Sequence, residues 1–139
     1  MKILTSLVFI LALFPPVASK SWRSWDNTIK ILALGKQRLK VEYSGLYTYP
    51  LADGTKMAND GEGQSIAIIE GNVATFKPDQ ARVEGEEACL ITMKFVSGKL
   101  QVKEQGACTF GLNVTLEGTY RRVSSRKPKF DFDDLFAPQ

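Results

Sequence analysis

Residues 89–108 read Cys89-Leu90-Ile91-Thr92-Met93-Lys94-Phe95-Val96-Ser97-Gly98-Lys99-Leu100-Gln101-Val102-Lys103-Glu104-Gln105-Gly106-Ala107-Cys108. Cys89, Ile91, Met93 and Phe95 fall on one face at period two, with Leu90, Thr92 and Lys94 on the other, as in a half-buried strand. Ser97-Gly98-Lys99 supplies a hairpin turn, Gly98 taking the positive φ that tight hairpins need. On the return strand Leu100 and Val102 face in, while Gln101, Lys103 and Gln105 face water. Two registers are open. With Gly98-Lys99 as the turn pair, Cys89 falls opposite Cys108. With Ser97-Gly98 as the pair, the cysteines miss by two residues, a gap that a bulge at Gly106 closes. In both registers the cysteines share the face of Phe95 and Val102. Glu104 also points inward by alternation, where a carboxylate needs a partner or a place near the sheet end.

The same alternation extends in both directions. Thr109 to Arg121 alternates for thirteen residues, with Phe110, Leu112, Val114, Leu116 and Tyr120 on one face, which reads as a long curved strand. Upstream, Leu39, Val41 and Tyr43 alternate with Lys40, Glu42 and Ser44, and Tyr47 and Tyr49 continue the pattern to Pro50. Residues 51–63 read as a long loop, followed by strands over Ser65–Ile69, Val73–Phe76 and Ala81–Val83. For residues 24–40 two readings compete. Trp25, Ile29, Leu32 and Leu39 could share a helical stripe, whereas Ile29-Lys30-Ile31 suits a strand. With about eight strands, short turns and no strand–helix–strand pattern, the expected fold is all-β: a small antiparallel up-and-down barrel or a strongly curved sheet.

The start of the chain sets the expected compartment. Met1-Lys2, the apolar run Ile3–Phe14, Pro15-Pro16 and Val17-Ala18-Ser19 form a secretory signal peptide with cleavage near Ser19. The run is too short for a stable membrane anchor. The expected organisation is leader 1–19, N-terminal segment 20–38, barrel 39–123 and a flexible tail 124–139. In that tail, basic Ser124–Lys129 gives way to acidic, aromatic Phe130–Phe136, which is open to docking on a partner as a short linear motif, to folding back over one barrel end, or to hanging free. Cys89 and Cys108 are the only cysteines. In an oxidising periplasmic or extracellular setting they are expected to pair, closing a loop worth about 3 kcal/mol.

Composition narrows the chemistry. Without Lys2 there are 17 basic against 15 acidic side chains, a net +2 that gives nucleic acid no dedicated footing. No histidine is present, so the Ser-His-Asp and Cys-His arrangements and the usual zinc sets are missing. Glu84, Glu86 and Glu87, and Asp131, Asp133 and Asp134, read as a solvated turn and a solvated tail. No cofactor is expected, and no catalytic or metal-binding constellation stands out. The binding candidates are Ser97, Gly98 and Lys99 at the hairpin tip, Tyr47 and Tyr120 among tyrosines that either pack or line a pocket, and Arg122, which with Arg121 could meet an acidic partner. Asn113-Val114-Thr115 fits a glycosylation sequon, relevant only in a eukaryote.

Gly106, Cys108, Phe110 and Gly111, then Gly118, Tyr120 and Arg122, follow a Gly-x-Cys-x-Phe-Gly and Gly-x-Tyr-x-Arg pattern. Tyr43-Ser44-Gly45-Leu46-Tyr47 resembles the opening Gly-x-Tyr strand of the same group. On these residues the span from Tyr43 to Arg122 resembles small exported β-domain proteins of Gram-negative bacteria, mostly uncharacterised, some with lysozyme-inhibitor-like labels. That resemblance implies a disulfide-bearing barrel. In the membrane-bound and periplasmic C-type lysozyme inhibitors a Ser-Gly loop with a downstream tyrosine enters the lysozyme cleft. Ser97-Gly98 is placed similarly here, but position 101 is Gln101. The expected function is therefore a non-catalytic periplasmic or secreted binding domain for a protein or small-molecule partner. Two alternatives stand beside it. One is a glycosidase inhibitor acting through Ser97-Gly98-Lys99. The other is a lipocalin-like carrier of an apolar molecule, which an interior sealed by Phe95, Leu100, Leu112 and Leu116 would count against.

Overall fold

The computed structural model describes residues 20–24, 26–78 and 87–130. Eight strands run in sequence: β1 (Lys20–Ser24), β2 (Asn27–Gly35), β3 (Arg38–Pro50), β4 (Lys56–Glu70), β5 (Val73–Phe76), β6 (Leu90–Val96), β7 (Lys99–Gln105) and β8 (Gly118–Ser124). Each pairs antiparallel with the next, and β1 pairs with β8 to close the barrel. Closure removes the edges that β1 and β8 would otherwise present. The expected all-β antiparallel barrel is thus the fold.

The interior belongs to the alternating residues. Ile29, Ile31, Val41, Ile91, Met93, Leu100, Leu116 and Tyr120 have essentially no accessible surface. A void large enough for water would give its lining residues some exposure, so none adjoins these side chains. Aromatic contacts lie toward both ends. Trp22 meets Phe95 edge-on at 5.9 Å, and Tyr43 stacks on Phe76 at 5.6 Å and meets Phe110 edge-on at 5.3 Å.

The helical reading of 24–40 gives way to strands. Ile29 and Ile31 point into the core at period two, and Lys30 and Leu32 point out, so the apolar residues of β2 are used at strand spacing. The expected loop over 51–63 shrinks to residues 51–55. Beyond it β4 pairs with the whole length of β3, from Pro50↔Lys56 to Arg38↔Ile68. Asp53 organises the tip by accepting from the Thr55 amide at 2.9 Å and from its hydroxyl at 2.6 Å. These bonds hold the Asp53 carboxyl below the usual carboxylate range.

The thirteen-residue strand over 109–121 is also corrected, because only Gly118–Ser124 joins the ladder. Phe110, Val114, Leu116 and Tyr120 are buried as the alternation implied, but the first three lie in a loop that folds over the barrel mouth. A turn closed by the Val114 amide on the Gly111 carbonyl, with Asn113 at φ 61°, throws Leu112 outward to 74% exposure. Alternation reports which side chains are buried, and a loop across a mouth can bury the same set as a strand.

The tail departs from the expectation of a free end as far as Phe130. Phe130 is buried on the outer wall, the Lys40 ammonium lies 4.6 Å from its ring centre, and the Lys129 carbonyl accepts from Lys30 Nζ at 2.9 Å. The leader, the strand expected over Ala81–Val83 and the tail beyond Phe130 lie outside the described residues.

Candidate functional site

The hairpin of β6 and β7 sets the geometry from which the candidate residues are presented. Its turn pair is Ser97-Gly98, with φ of 51° and 74°. Opposed residues run from Val96↔Lys99 to Leu90↔Gln105. This is the second of the two registers. Gly106, at φ 83°, then redirects the chain, and Cys108 reaches Cys89 at a Cα separation of 4.7 Å to form the disulfide.

Glu104 and Tyr120 find their partners in one residue of the mouth loop. The Leu116 amide donates to the Glu104 carboxylate, and the Tyr120 hydroxyl donates to the Leu116 carbonyl at 2.7 Å. The sequence leaves Glu104 as an inward carboxylate in need of a donor, and Leu116 supplies it. Burial, with the Glu104 charge nearby, outweighs a hydrogen bond from Asn27 and pushes the Tyr120 phenol up to about 12. A phenol whose folded pKa exceeds its unfolded value of about 10 stabilises the fold below pH 10. That contribution, at most about 3 kcal/mol for two pH units, is lost as pH rises from 10 to 12. Tyr120→Phe should cost about 1 kcal/mol near neutrality by orphaning the Leu116 carbonyl. It should also remove this alkaline component, as read by urea unfolding between about pH 8 and 12.

The wall formed by β6, β7, β8 and β1 is electrostatically one-sided. Those four strands carry Lys20, Arg23, Lys94, Lys99, Lys103, Arg121 and Arg122 against a single acid, Glu104, which is turned to Leu116. The other four strands carry four basic and four acidic residues. Within the basic wall Lys99 lies directly opposite Arg121, and Arg121 directly opposite Arg23. Like charges opposed across neighbouring strands destabilise a sheet. Lys20 registers the same field: partial burial, then the charge of Arg122, lowers its pKa.

Arg23, Ser24, Lys99, Thr119, Tyr120 and Arg121 line a surface groove of about 720 Å³. A second hollow of about 360 Å³ shares Ser24 and Thr119 with it and reaches Asn27, Leu46, Tyr47, Asn113 and Glu117. The first is cationic, and the adjoining one carries Tyr47. Tyr47 stands where β3 and β4 extend as a two-stranded arm past Ser44, the last residue of β3 that pairs with β2, and its ring lies 6.3 Å from that of Tyr49. The Asn27 side chain ties the root of this arm to the mouth loop, accepting from the Leu46 amide at 3.3 Å and donating to the Thr115 carbonyl at 2.7 Å.

Of the sequence candidates, Lys99 and Tyr120 line the first groove and Tyr47 lines the adjoining hollow, the two sharing Ser24 and Thr119. Tyr120 takes part from the core side, its hydroxyl being committed to Leu116. Ser97 and Gly98 sit exposed at the turn at one end of the barrel, and Arg122 lies opposite Trp22 on β8. Arg23 is a groove residue that sequence reasoning missed. Nothing local marks it; only the register of the first strand against the last brings it beside Arg121. Among the described residues no cluster of acids or cysteines is arranged to hold a metal ion, and no helix is long and apolar enough to cross a membrane. The disulfide is consistent with an oxidising compartment. Comparison with known protein families, curated proteins and solved structures finds no match.

Proposed function

We propose that this chain is an exported, non-catalytic binding domain whose partner carries clustered negative charge, held along the groove between β8 and β1. The observation that carries this reading is the basic wall, with its row Lys99–Arg121–Arg23 across three adjacent strands. Such a row sets three cations within reach of one anion lying across it. A chain with a net charge near +2 would not need to gather its cations on one side for solubility alone. Hydroxyls from Ser24 and Thr119 in the same groove add hydrogen-bonding groups for an oxyanion.

The test compares two charge-matched triple variants. Arg23→Gln, Lys99→Gln and Arg121→Gln removes the row, whereas Arg38→Gln, Lys56→Gln and Lys77→Gln removes three exposed cations elsewhere. Binding of a fluorescent oligoglutamate is measured by anisotropy at salt from about 50 to 300 mM. Three screened contacts of about 0.5 kcal/mol each predict about a tenfold loss for the first variant, with little change for the second. Equal losses in the two variants would reduce the wall to a net-charge effect and overturn the proposal.

The glycosidase-inhibitor alternative draws on the exposed Ser97-Gly98 tip. Lysozyme activity titrated with the protein, with Gly98→Val as a turn-disrupting control, separates the two readings. Inhibition abolished by Gly98→Val and by Lys99→Gln, and kept by an Arg23→Gln, Arg121→Gln variant, would favour that alternative.

A further inference from the structure

The outer faces of β2, β3 and β4 carry an apolar surface beside the point where the described tail stops. Two cross-strand rows define it. In the first, Lys30, Glu42 and Gln64 lie side by side, and in the second, Leu32, Lys40 and Ile66. The first row is covered. Glu42 is 5% exposed although it points away from the core, and Lys30 bridges its carboxylate at 3.2 Å and the Lys129 carbonyl. Phe130 lies over Lys40 in the second row. One strand further on, Ile66 and Ile68 are 48% and 45% exposed, with Arg38 opposite Ile68. Beside them the Gln64 side-chain amide nitrogen is buried without a hydrogen-bond partner among the described residues. A buried donor of this kind calls for an acceptor.

We propose that this face is the docking surface for the chain's own residues 131–136, Asp-Phe-Asp-Asp-Leu-Phe. Four observations on the molecule point to that occupant. The segment follows directly from Phe130, which is already seated on the neighbouring strand. Neighbouring strands are about 4.8 Å apart and each extended residue spans about 3.4 Å, so two residues suffice to reach Ile66. The apolar residues Phe132, Leu135 and Phe136 match Ile66 and Ile68 in character. The acids Asp131, Asp133 and Asp134 match Arg38, Lys40 and the unsatisfied Gln64 donor in charge and hydrogen-bonding sense.

Methyl NMR on the full-length chain tests this. The Ile66 and Ile68 methyl signals are compared between the native protein and a Phe132→Ser, Leu135→Ser, Phe136→Ser variant, with core Ile29 and Ile31 as internal references. Docking predicts that the Ile66 and Ile68 signals move on substitution, through loss of aromatic ring currents, while Ile29 and Ile31 stay in place. An Arg38→Glu, Lys40→Glu variant should move the same two signals in the same direction. Unchanged Ile66 and Ile68 signals in the serine variant would overturn the proposal. So would signals that shift with protein concentration alongside a dimer in sedimentation, since the occupant would then be a second copy. The assay is independent of anion binding on the opposite wall, so either proposal can fail alone.

Discussion

Gly61→Ala should destabilise the barrel by about 3 kcal/mol, a cost in the range of overpacking with partial exposure of an aromatic side chain. A Cβ on Gly61 would stand 1.7 Å from the Phe110 carbonyl oxygen and 2.4 Å from its carbon. Those are backbone atoms, so the mouth loop must lift. Lifting it uncovers Phe110 and then Tyr43, against which Phe110 packs. Gly61 is not among the positive-φ glycines, so the penalty is steric rather than conformational. Gly54→Ala is the matched control. Gly54 has φ 86° and an added methyl there would meet nothing within 4 Å, so its replacement should cost only about 1 kcal/mol. Urea unfolding of both variants decides the matter, and a Gly61→Ala cost no greater than that of Gly54→Ala would refute the account.

Removing the disulfide with Cys89→Ala and Cys108→Ala should cost about 3 kcal/mol, or about 15 °C in Tm for a domain of this size. The bridge spans 19 positions, and none of the eight barrel ladders depends on it for register. The expected outcome is therefore a weakened barrel that keeps its β content by circular dichroism. The local effect should fall on the mouth. Hydrogen exchange at the Val114 and Leu116 amides should speed up more than at Met93 or Val102, because Gly106–Cys108 is where that loop is anchored. Equal acceleration at all four amides would mean that the bridge acts only through the unfolded chain.

The fold was legible wherever alternation coincided with a turn signal. Met93 and Phe95 are opposed to Val102 and Leu100 in the register with Ser97-Gly98 as turn pair, and the chain leaves the ladder at Gly106. What stayed hidden depended on partners distant in sequence. Leu112 looked like core because its neighbours at even positions are core; the turn that ejects it involves Gly111 and Asn113, residues tolerant of many conformations. The seat of Phe130 was hidden because the group over its ring is Lys40 and the neighbouring Lys129 carbonyl is held by Lys30, charged residues that no hydrophobic pattern marks. Lys99 and Tyr47 were visible as candidates one at a time. The adjacency of their two hollows was not, because it needs Ser24 and Thr119, on strands distant in sequence, to line both.

That seam has a consequence for how the molecule is made. Trp22 sits opposite Arg122, 100 positions later, so the cylinder cannot shut until nearly the whole polypeptide is available. Contacts this remote in sequence form slowly, after the costly closure of a long loop. An emerging chain would remain open while β8 is still to come. It would also make trimming by a few residues beyond Lys20 as damaging as losing the last strand.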